Sequence, residues 1–442
     1  MSDGSNPPAP RAAPVPRGRL GRMARMGGLA TGLAGTMAAR GGMELLGGRR
    51  PRMQDLLMTP ANVTRVTEEL SRMRGAAMKA GQLLSMETGE LMPPELAQIM
   101  TRLQSEAHFM PPAQLKKVLA ANWGGDFMRR FRRFDVRPIA AASIGQVHRA
   151  QTRDGRDLAV KVQYPGIRDS IDSDIRNLGA IARGSGLVPR GMDIAPLLEE
   201  ARAQLHEEAD YLREAAALSR FAAHLADTPH FRVPGLHRDL TTPDILVMDH
   251  LPGVTVAELE RRDQATRDRV AARLITLVLR ELFDLGDMQT DPNFANYLFD
   301  PDADAVILLD FGATRRFAPE TVAQYREVLR ATVAGDGPRA LARMADLGMI
   351  PADPPDAARD LLLRLFGIVA EPFAAPGVHD FGRAGLLDRL RQEGLALAEE
   401  RGLFPVPPVE SLLLQRKVLG CYLLAERLRA RVDLHAAVAP WL

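Results

Sequence analysis

Apolar residues recur at helical spacing from Thr59 to Leu119. Leu70, Met73, Ala77, Met78 and Leu84 carry the pattern until Pro93 and Pro94 break it. The period changes over 129–163. Val147 opens an extended piece, Asp154-Gly155 has hairpin-turn chemistry, and Leu158 to Val162 reads as a strand with Lys161 in its middle. Helical spacing returns over 166–225. Asp244 to Asp249 reads as a short strand ended by Pro252-Gly253, and 255–286 is helical again. Tyr297 to Phe299 and Ala305 to Leu309 predict a second hairpin across the Asp/Pro turn at 300–304. From about 318 onward helices are punctuated by Pro351, Pro354-Pro355, Pro372 and the proline cluster at 405–408. There is no repeat at a fixed period. The order of elements predicts an α+β fold with two lobes.

Composition sharpens this picture in three places. The 442 residues carry a net charge of only +2, which excludes a polycationic nucleic-acid arm as the main theme. One cysteine, Cys421, excludes a disulfide framework and a cysteine-rich zinc site, as expected in a reducing compartment. Five lysines (Lys79, Lys116, Lys117, Lys161 and Lys417) stand against 52 arginines, so each lysine marks a position where arginine was not used.

The amino end is distinct. Five prolines in the first 20 residues predict disorder. Residues 1–60 hold nine arginines against Asp3, Glu44 and Asp55, and Met26 to Ala39 is a 14-residue run of weakly apolar, small residues. That run is shorter than a membrane span. Three readings fit it: an anchor at an anionic membrane surface, a leader without structure, or an Arg-rich organelle transit peptide.

The chemistry concentrates in Asp291-Pro-Asn-Phe-Ala-Asn296 and Leu309-Asp310-Phe311-Gly312. Magnesium prefers oxygen ligands and binds through one or two carboxylates plus substrate phosphates. Asn296 offers an amide oxygen and Asp310 a carboxylate, while Asp291 is suited to orienting an attacking oxygen and taking its proton. Alone, Asp291 reads equally as an Asp-Pro turn. Lys161, set mid-strand, needs anionic partners. Glu208 is the candidate carboxylate, with Glu207 and Glu214 as competitors. The nine histidines show no metal spacing, and His148 reads as structural. Arg129-Arg130-Phe-Arg132-Arg133 offers a nucleic-acid contact, but reads first as a solvated loop before the strand.

Taken in order, these residues resemble the UbiB/aarF atypical kinase-like family, nearest its mitochondrial and alphaproteobacterial branch. Lys79-Ala-Gly-Gln82 matches the family's K-x-G-Q helix, and Ala140-Ala141-Ala142-Ser143-Ile-Gly-Gln146 matches the alanine-rich loop that replaces a glycine-rich one. Ala159-Val-Lys161, Glu208-Ala-Asp-Tyr211, Gln289-Thr-Asp291-Pro-Asn-Phe-Ala-Asn296 and Asp310-Phe-Gly312 follow. The resemblance implies an atypical protein-kinase-like two-lobed fold with an amino-terminal helical extension and a mostly helical carboxy-terminal lobe. It divides the chain into a disordered basic segment (1–58), the extension (59–128), an N-lobe with a helical insert (129–252) and a helical C-lobe with the catalytic and metal segments (253–442).

The resemblance also implies Mg·ATP or ADP held between the lobes and a role in ubiquinone (coenzyme Q) biosynthesis. Asp291, Lys161 and Glu208 become catalytic candidates. Ala140, Ala141, Ala142, Ser143, Gln146, Lys161, Met248, Lys79 and Gln82 become nucleotide contacts, and Asn296 and Asp310 become metal ligands. Implied partners are an anionic membrane surface, ubiquinone precursor lipids, other ubiquinone-biosynthesis enzymes and a second copy of the chain, with no nucleic acid. The implied location is the cytoplasmic face of a bacterial inner membrane, or the matrix side of the mitochondrial one. A conventional protein kinase and a nucleotide-sensing scaffold without turnover are the competing classes.

Local chemistry adds three expectations. Alanine restricts positive φ, so 140–142 should form a stiffer cover than glycines, with Gly145 alone keeping that freedom. Ala318-Pro319-Glu320 reads as a helix start, with proline in the first turn. Residues 411–428, interrupted by Arg416, Lys417, Glu426 and Arg427, read as a soluble amphipathic helix.

The lysine distribution yields a first test. Lys161→Arg should lose nucleotide-dependent activity, because a planar guanidinium replaces a compact ammonium, whereas Lys116→Arg should be silent. ATP hydrolysis by the two variants checks this.

Overall fold

The computed structural model describes residues 109–142, 144–185, 194–383, 385–399 and 407–442. Lys79, Gln82, Ser143 and the 26–39 run lie outside the described residues. The chain divides into two compact units. One joins the chain up to Ala215 with Leu236–His250, and the other joins Ala216–Gly235 with Leu251–Leu442. Residues 216–235, placed by sequence in the first lobe, therefore belong to the second unit.

Among the described residues, the first helix of the first unit is α1 (Pro112–Trp123). Strands β1 (Phe131–Phe134), β2 (Ala140–Ala141), β3 (Gly145–Thr152) and β4 (Asp157–Gln163) follow. Helices α2 (Ile167–Ser185) and α3 (Ala195–Glu208) come next; α4 (Tyr211–His224) starts in this unit and passes into the second after Ala215, β5 (Phe231–Arg232) lies in the second unit, and β6 (Ile245–Asp249) returns to the first. The antiparallel sheet has the order β1-β3-β4-β6, with β2 paired to β3. The expected turn at Asp154-Gly155 is present, with Gly155 at φ 98°.

Period-two alternation along β4 sorts its side chains between two cores. Leu158, Val160 and Val162 join Ile245 and Val247 beneath Leu115, Leu119 and Trp123 of α1. Lys161 is opposite Leu246 on the other face. There Leu246 packs with Ile144, Ile171, Leu205 and Tyr211.

Three local readings change. The arginine-rich stretch is not a loop: a 3-10 turn (Phe127–Arg130) leads into β1, with Phe131 buried and Arg132 and Arg133 exposed. Gln146, expected at the nucleotide, is turned into the protein instead. It is 0% exposed, accepts from the Met110 amide at 2.7 Å and donates to His148 Nε2 at 2.8 Å. His148 in turn donates from Nδ1 to the Asp135 carbonyl at 2.8 Å, and burial lowers its pKa, as befits the structural histidine expected.

Gly145 is the third. It lies in β3 without positive φ, so conformational freedom is not its use. A Cβ there would stand 2.4 Å from the Val162 carbonyl oxygen and 2.9 Å from the Tyr211 hydroxyl. The glycine is required by close approach of β4. Ala140 and Ala141 are extended and paired with Val147 and Gln146, a conformation alanine adopts without strain.

The second unit is mostly helical. After β7 (Val254–Thr255) come α5 (Val256–Leu259), α6 (Gln264–Arg280), β8 (Asp287–Gln289), β9 (Tyr297–Asp300), β10 (Ala305–Leu308) and β11 (Thr314–Arg316). Helices α7 (Pro319–Val333), α8 (Gly337–Asp346) and α9 (Asp356–Ala370) follow, then β12 (His379–Asp380), α10 (Leu386–Glu399), α11 (Val409–Arg427), β13 (Arg431–Val432) and α12 (Leu434–Val438). Pro319 occupies the first turn of α7, as its sequence predicts. One sheet has the order β5-β10-β9-β7, β8 pairs with β11, and β12 pairs with β13. Among the described residues, no helix is long and apolar enough to cross a membrane.

Close approach at Gly145 gives a stability prediction. Gly145→Ala should destabilise the protein by about 1–3 kcal/mol through overpacking. Gly125→Ala, where a Cβ meets nothing within 4 Å, should change little. Urea unfolding midpoints of the two variants check the difference.

Candidate active site

In the first unit, the side chain of Lys161 is 8% exposed and that of Glu214 is 1% exposed. The Lys161 ammonium donates to both Glu214 oxygens, at 2.7 and 3.0 Å, and stands 5.3 Å from the Tyr211 ring centre. Glu208 is therefore not the partner of Lys161. The sequence reading ran one helix through this region, whereas α3 ends at Glu208 and α4 starts at Tyr211. Asp210 caps the new helix by accepting from the Leu212 and Arg213 amides, both at 3.1 Å. That break resets the helical phase and turns Glu214, not Glu208, towards β4. Met248 sits opposite Ala159, two positions along from the Lys161–Leu246 pair, and so on the same sheet face.

In the second unit, the β9–β10 hairpin assembles the metal candidates. Leu308 pairs with Tyr297, and beyond them the Leu309 amide donates to the Asn296 carbonyl at 3.0 Å. This register brings Asn296 and Asp310 to one end of the hairpin. The Asn296 amide nitrogen donates to the backbone and carboxylate oxygens of Asp291, at 3.3 and 3.4 Å. Its oxygen Oδ1 is then the atom suited to meet a cation. Asp310 Oδ1 accepts from the Gly312 amide at 2.9 Å. Among the described residues, no group of three or more His, Cys, Asp or Glu is placed to hold a metal. The set is two hard oxygen donors, which fits magnesium carried on a phosphate substrate.

The flanking segments are fixed by their own chemistry. Strands β8 and β11 pair Gln289 with Thr314, and the Thr290 amide and hydroxyl both donate to the Ala313 carbonyl at 2.8 Å. The Phe311 ring lies 5.1 Å from that of Phe221. Asp287, 2% exposed, accepts from Arg220 at 2.9 Å.

Sequence reasoning missed the contribution of α11. Lys417 is 2% exposed and donates to Gln289 Oε1 at 2.8 Å and to the Tyr297 hydroxyl at 2.6 Å. Glu281 stands 3.5 Å from it, with a pKa pushed up to about 7 by burial despite the nearby ammonium. Arg416 donates to Asp291 Oδ1 at 2.8 Å. Meanwhile Val418, Leu419 and Leu423 are 50%, 47% and 40% exposed. The helix keeps the expected amphipathic sense at Leu413, Leu414 and Leu424, which are buried, and departs from it at Arg416 and Lys417, which point inward to acceptors. The signal in the sequence was the scarcity of lysine.

The chain as a whole is similar to known proteins. The model for the ABC1 atypical kinase-like domain matches residues 102–344, more than half of the chain. The chain belongs to that family. It is 38% identical to the rat mitochondrial atypical kinase COQ8B, covering 96% of this chain and 80% of that protein. To the Saccharomyces cerevisiae mitochondrial atypical kinase COQ8 it is 37% identical, covering 96% and 84%. Among solved structures, Mycobacterium tuberculosis Rv3197, determined as a complex with erythromycin, superposes with a TM-score of 0.60. That match has 25% identity and covers 86% of this chain and 96% of that one. The atypical kinase-like fold expected from sequence is therefore the fold of this protein.

The corrected ion pair can be tested within the ABC1 frame. Glu214→Gln leaves the Lys161 ammonium buried without its carboxylate, which should cost about 3–5 kcal/mol of stability. It should also weaken ATP binding, whereas Glu208→Gln should keep wild-type affinity. Thermal melts and titration with a fluorescent ATP analogue read both effects.

Proposed function

We propose that this chain is a kinase-like ATPase that binds Mg·ATP and supports coenzyme Q biosynthesis by acting on membrane-held isoprenoid-quinone precursors. The observation that carries the reading is the convergence of Asp291, Asn296 and Asp310 at one end of the β9–β10 hairpin. In this reading Lys161 meets phosphate oxygens with its compact ammonium, and Glu214 holds Lys161 in place. Asn296 and Asp310 would hold Mg2+, and the cation would neutralise charge on the phosphates. Asp291 orients the attacking oxygen and takes its proton as the new oxygen–phosphorus bond forms. The β–γ bridge then breaks and ADP leaves. The attacking oxygen belongs to water or to a small precursor hydroxyl. Met248, the extended backbone of Ala140 and Ala141, and Ala142 serve as further nucleotide contacts.

The kinship with COQ8 proteins, whose names label them mitochondrial, supports the quinone setting. An anionic membrane surface is the natural partner of the amino end, where nine arginines face three acids within 60 residues. A bacterial or mitochondrial inner membrane suits this reading.

The decisive measurement is Mg·ATP hydrolysis by the full chain, with and without anionic liposomes. Liposomes should stimulate wild type, deletion of residues 1–50 should remove the stimulation, and Asp310→Asn should lower turnover at least about 100-fold. Turnover unaffected by Asp310→Asn would move the chemistry elsewhere. ATP binding without phosphate release under every condition would favour a nucleotide-sensing scaffold. Efficient transfer of phosphate to proteins would favour a protein kinase.

A further inference from the structure

We infer that Arg416 is a positioning residue for Asp291, and that α11 is the seat on which the 289–297 segment is set. The inference rests on the function proposed above for Asp291. Three contacts carry it. Arg416 donates to Asp291 Oδ1 at 2.8 Å, with side-chain exposures of 11% and 20%. The other oxygen, Oδ2, accepts from Asn296 at 3.4 Å, so the carboxylate is gripped on both sides. One helical turn past Arg416 is Gly420, where a Cβ would stand 2.1 Å from the Pro292 Cβ. The helix therefore runs directly against the residue that follows Asp291. Next to Arg416, Lys417 is fastened to Gln289 and Tyr297, on either side of Asp291 in the chain.

An isolated ion pair on a protein surface contributes little, because both side chains are mobile and solvated. This one differs on both counts. Arg416 is largely withdrawn from solvent, and the helix carrying it is pinned by the buried Lys417 ammonium and the Gly420 contact. A guanidinium held so firmly fixes the direction of the carboxylate it grips. Misplacing a catalytic group by about 1 Å can cost on the order of 100-fold in rate. Arg416 therefore acts on catalysis through Asp291, whatever oxygen Asp291 serves.

The test uses the full chain. Arg416→Gln should lower kcat for Mg·ATP hydrolysis on the order of 10- to 100-fold while changing the KM for ATP by less than about twofold. Arg416→Lys, or millimolar guanidinium added to Arg416→Gln, should recover part of the loss. In an Asp291→Asn background, Arg416→Gln should cost nothing further, since the two residues act as one unit. Unchanged kcat, a loss confined to KM, or an equal loss in the Asp291→Asn background overturns the inference. Hydrogen exchange provides a readout independent of turnover. Residues 289–297 should exchange faster in Arg416→Gln than in wild type, while the sheet of the first unit keeps its protection. Equal exchange at 289–297 overturns the inference even if wild type hydrolyses no ATP, an outcome that by itself would sink only the proposed activity.

Discussion

A lysine ammonium withdrawn from water must be met by acceptors, and much of this protein's local order follows from meeting that demand. In the first unit the demand is satisfied by Glu214. The break between α3 and α4, with Asp210 capping the second helix, is what turns Glu214 to meet it. In the second unit it is satisfied by Gln289, Tyr297 and Glu281, and this fixes where α11 lies. A buried charge of this kind adds little net stability. Its effect is specificity, because arrangements that leave the charge unmatched are strongly disfavoured.

The metal candidates obey a different rule. Asn296 and Asp310 are brought together by strand register, not by charge. Once Leu308 pairs with Tyr297, the next residues outward are Leu309 and Asn296, and Asp310 follows immediately. Slipping the register by one residue would send every side chain of the hairpin to the opposite face. All four residues of 305–308 are apolar and buried, so the two faces of β10 are alike and the turn sets the register: Asp300 Oδ1 accepts from the Asp302 and Ala303 amides, at 3.0 and 3.1 Å. Packing of an ordinary hairpin therefore positions two hard oxygen donors, and Asp291 joins them through the Asn296 amide.

This difference explains what the sequence revealed. The hairpins, the strand bearing Lys161 and the Asp310-Phe-Gly312 turn depend on neighbours in the chain, so periodicity and turn chemistry expose them. The fold class was legible for the same reason, aided by motif order. Glu214 was not, because a helix break of two residues decides which of several glutamates faces β4. Gln146 was misassigned because a short polar side chain beside a loop looks alike whether it serves a ligand or a buried amide such as that of Met110. Arg416 and Lys417 were hidden by distance: their acceptors lie more than a hundred residues earlier. A helix-wheel argument sends charges outward by default. Only long-range partners reverse it.

The scarcity of lysine carries the last step. With 52 arginines in the chain, a lysine persists most readily where a guanidinium does not serve. Lys116 and Lys117 are exposed on α1, and nothing in the structure explains their choice over arginine. Lys161 and Lys417 are explained. At each, the charge is met at short range within a confined space: two oxygens of one carboxylate for Lys161, and an amide oxygen with a phenol for Lys417. A guanidinium presents five donors in a rigid plane, and burying it would leave some of them unmatched. Arg416 differs in degree: it donates to Asp291 Oδ1 at 2.8 Å, and its side chain keeps 11% exposure against 3% for that of Lys417. Adjacent positions on one helix thus carry different cations, the fully enclosed one a lysine and the partly enclosed one an arginine. The composition bias, read with burial, separates the two buried cations, Lys161 and Lys417, from the arginine that grips Asp291.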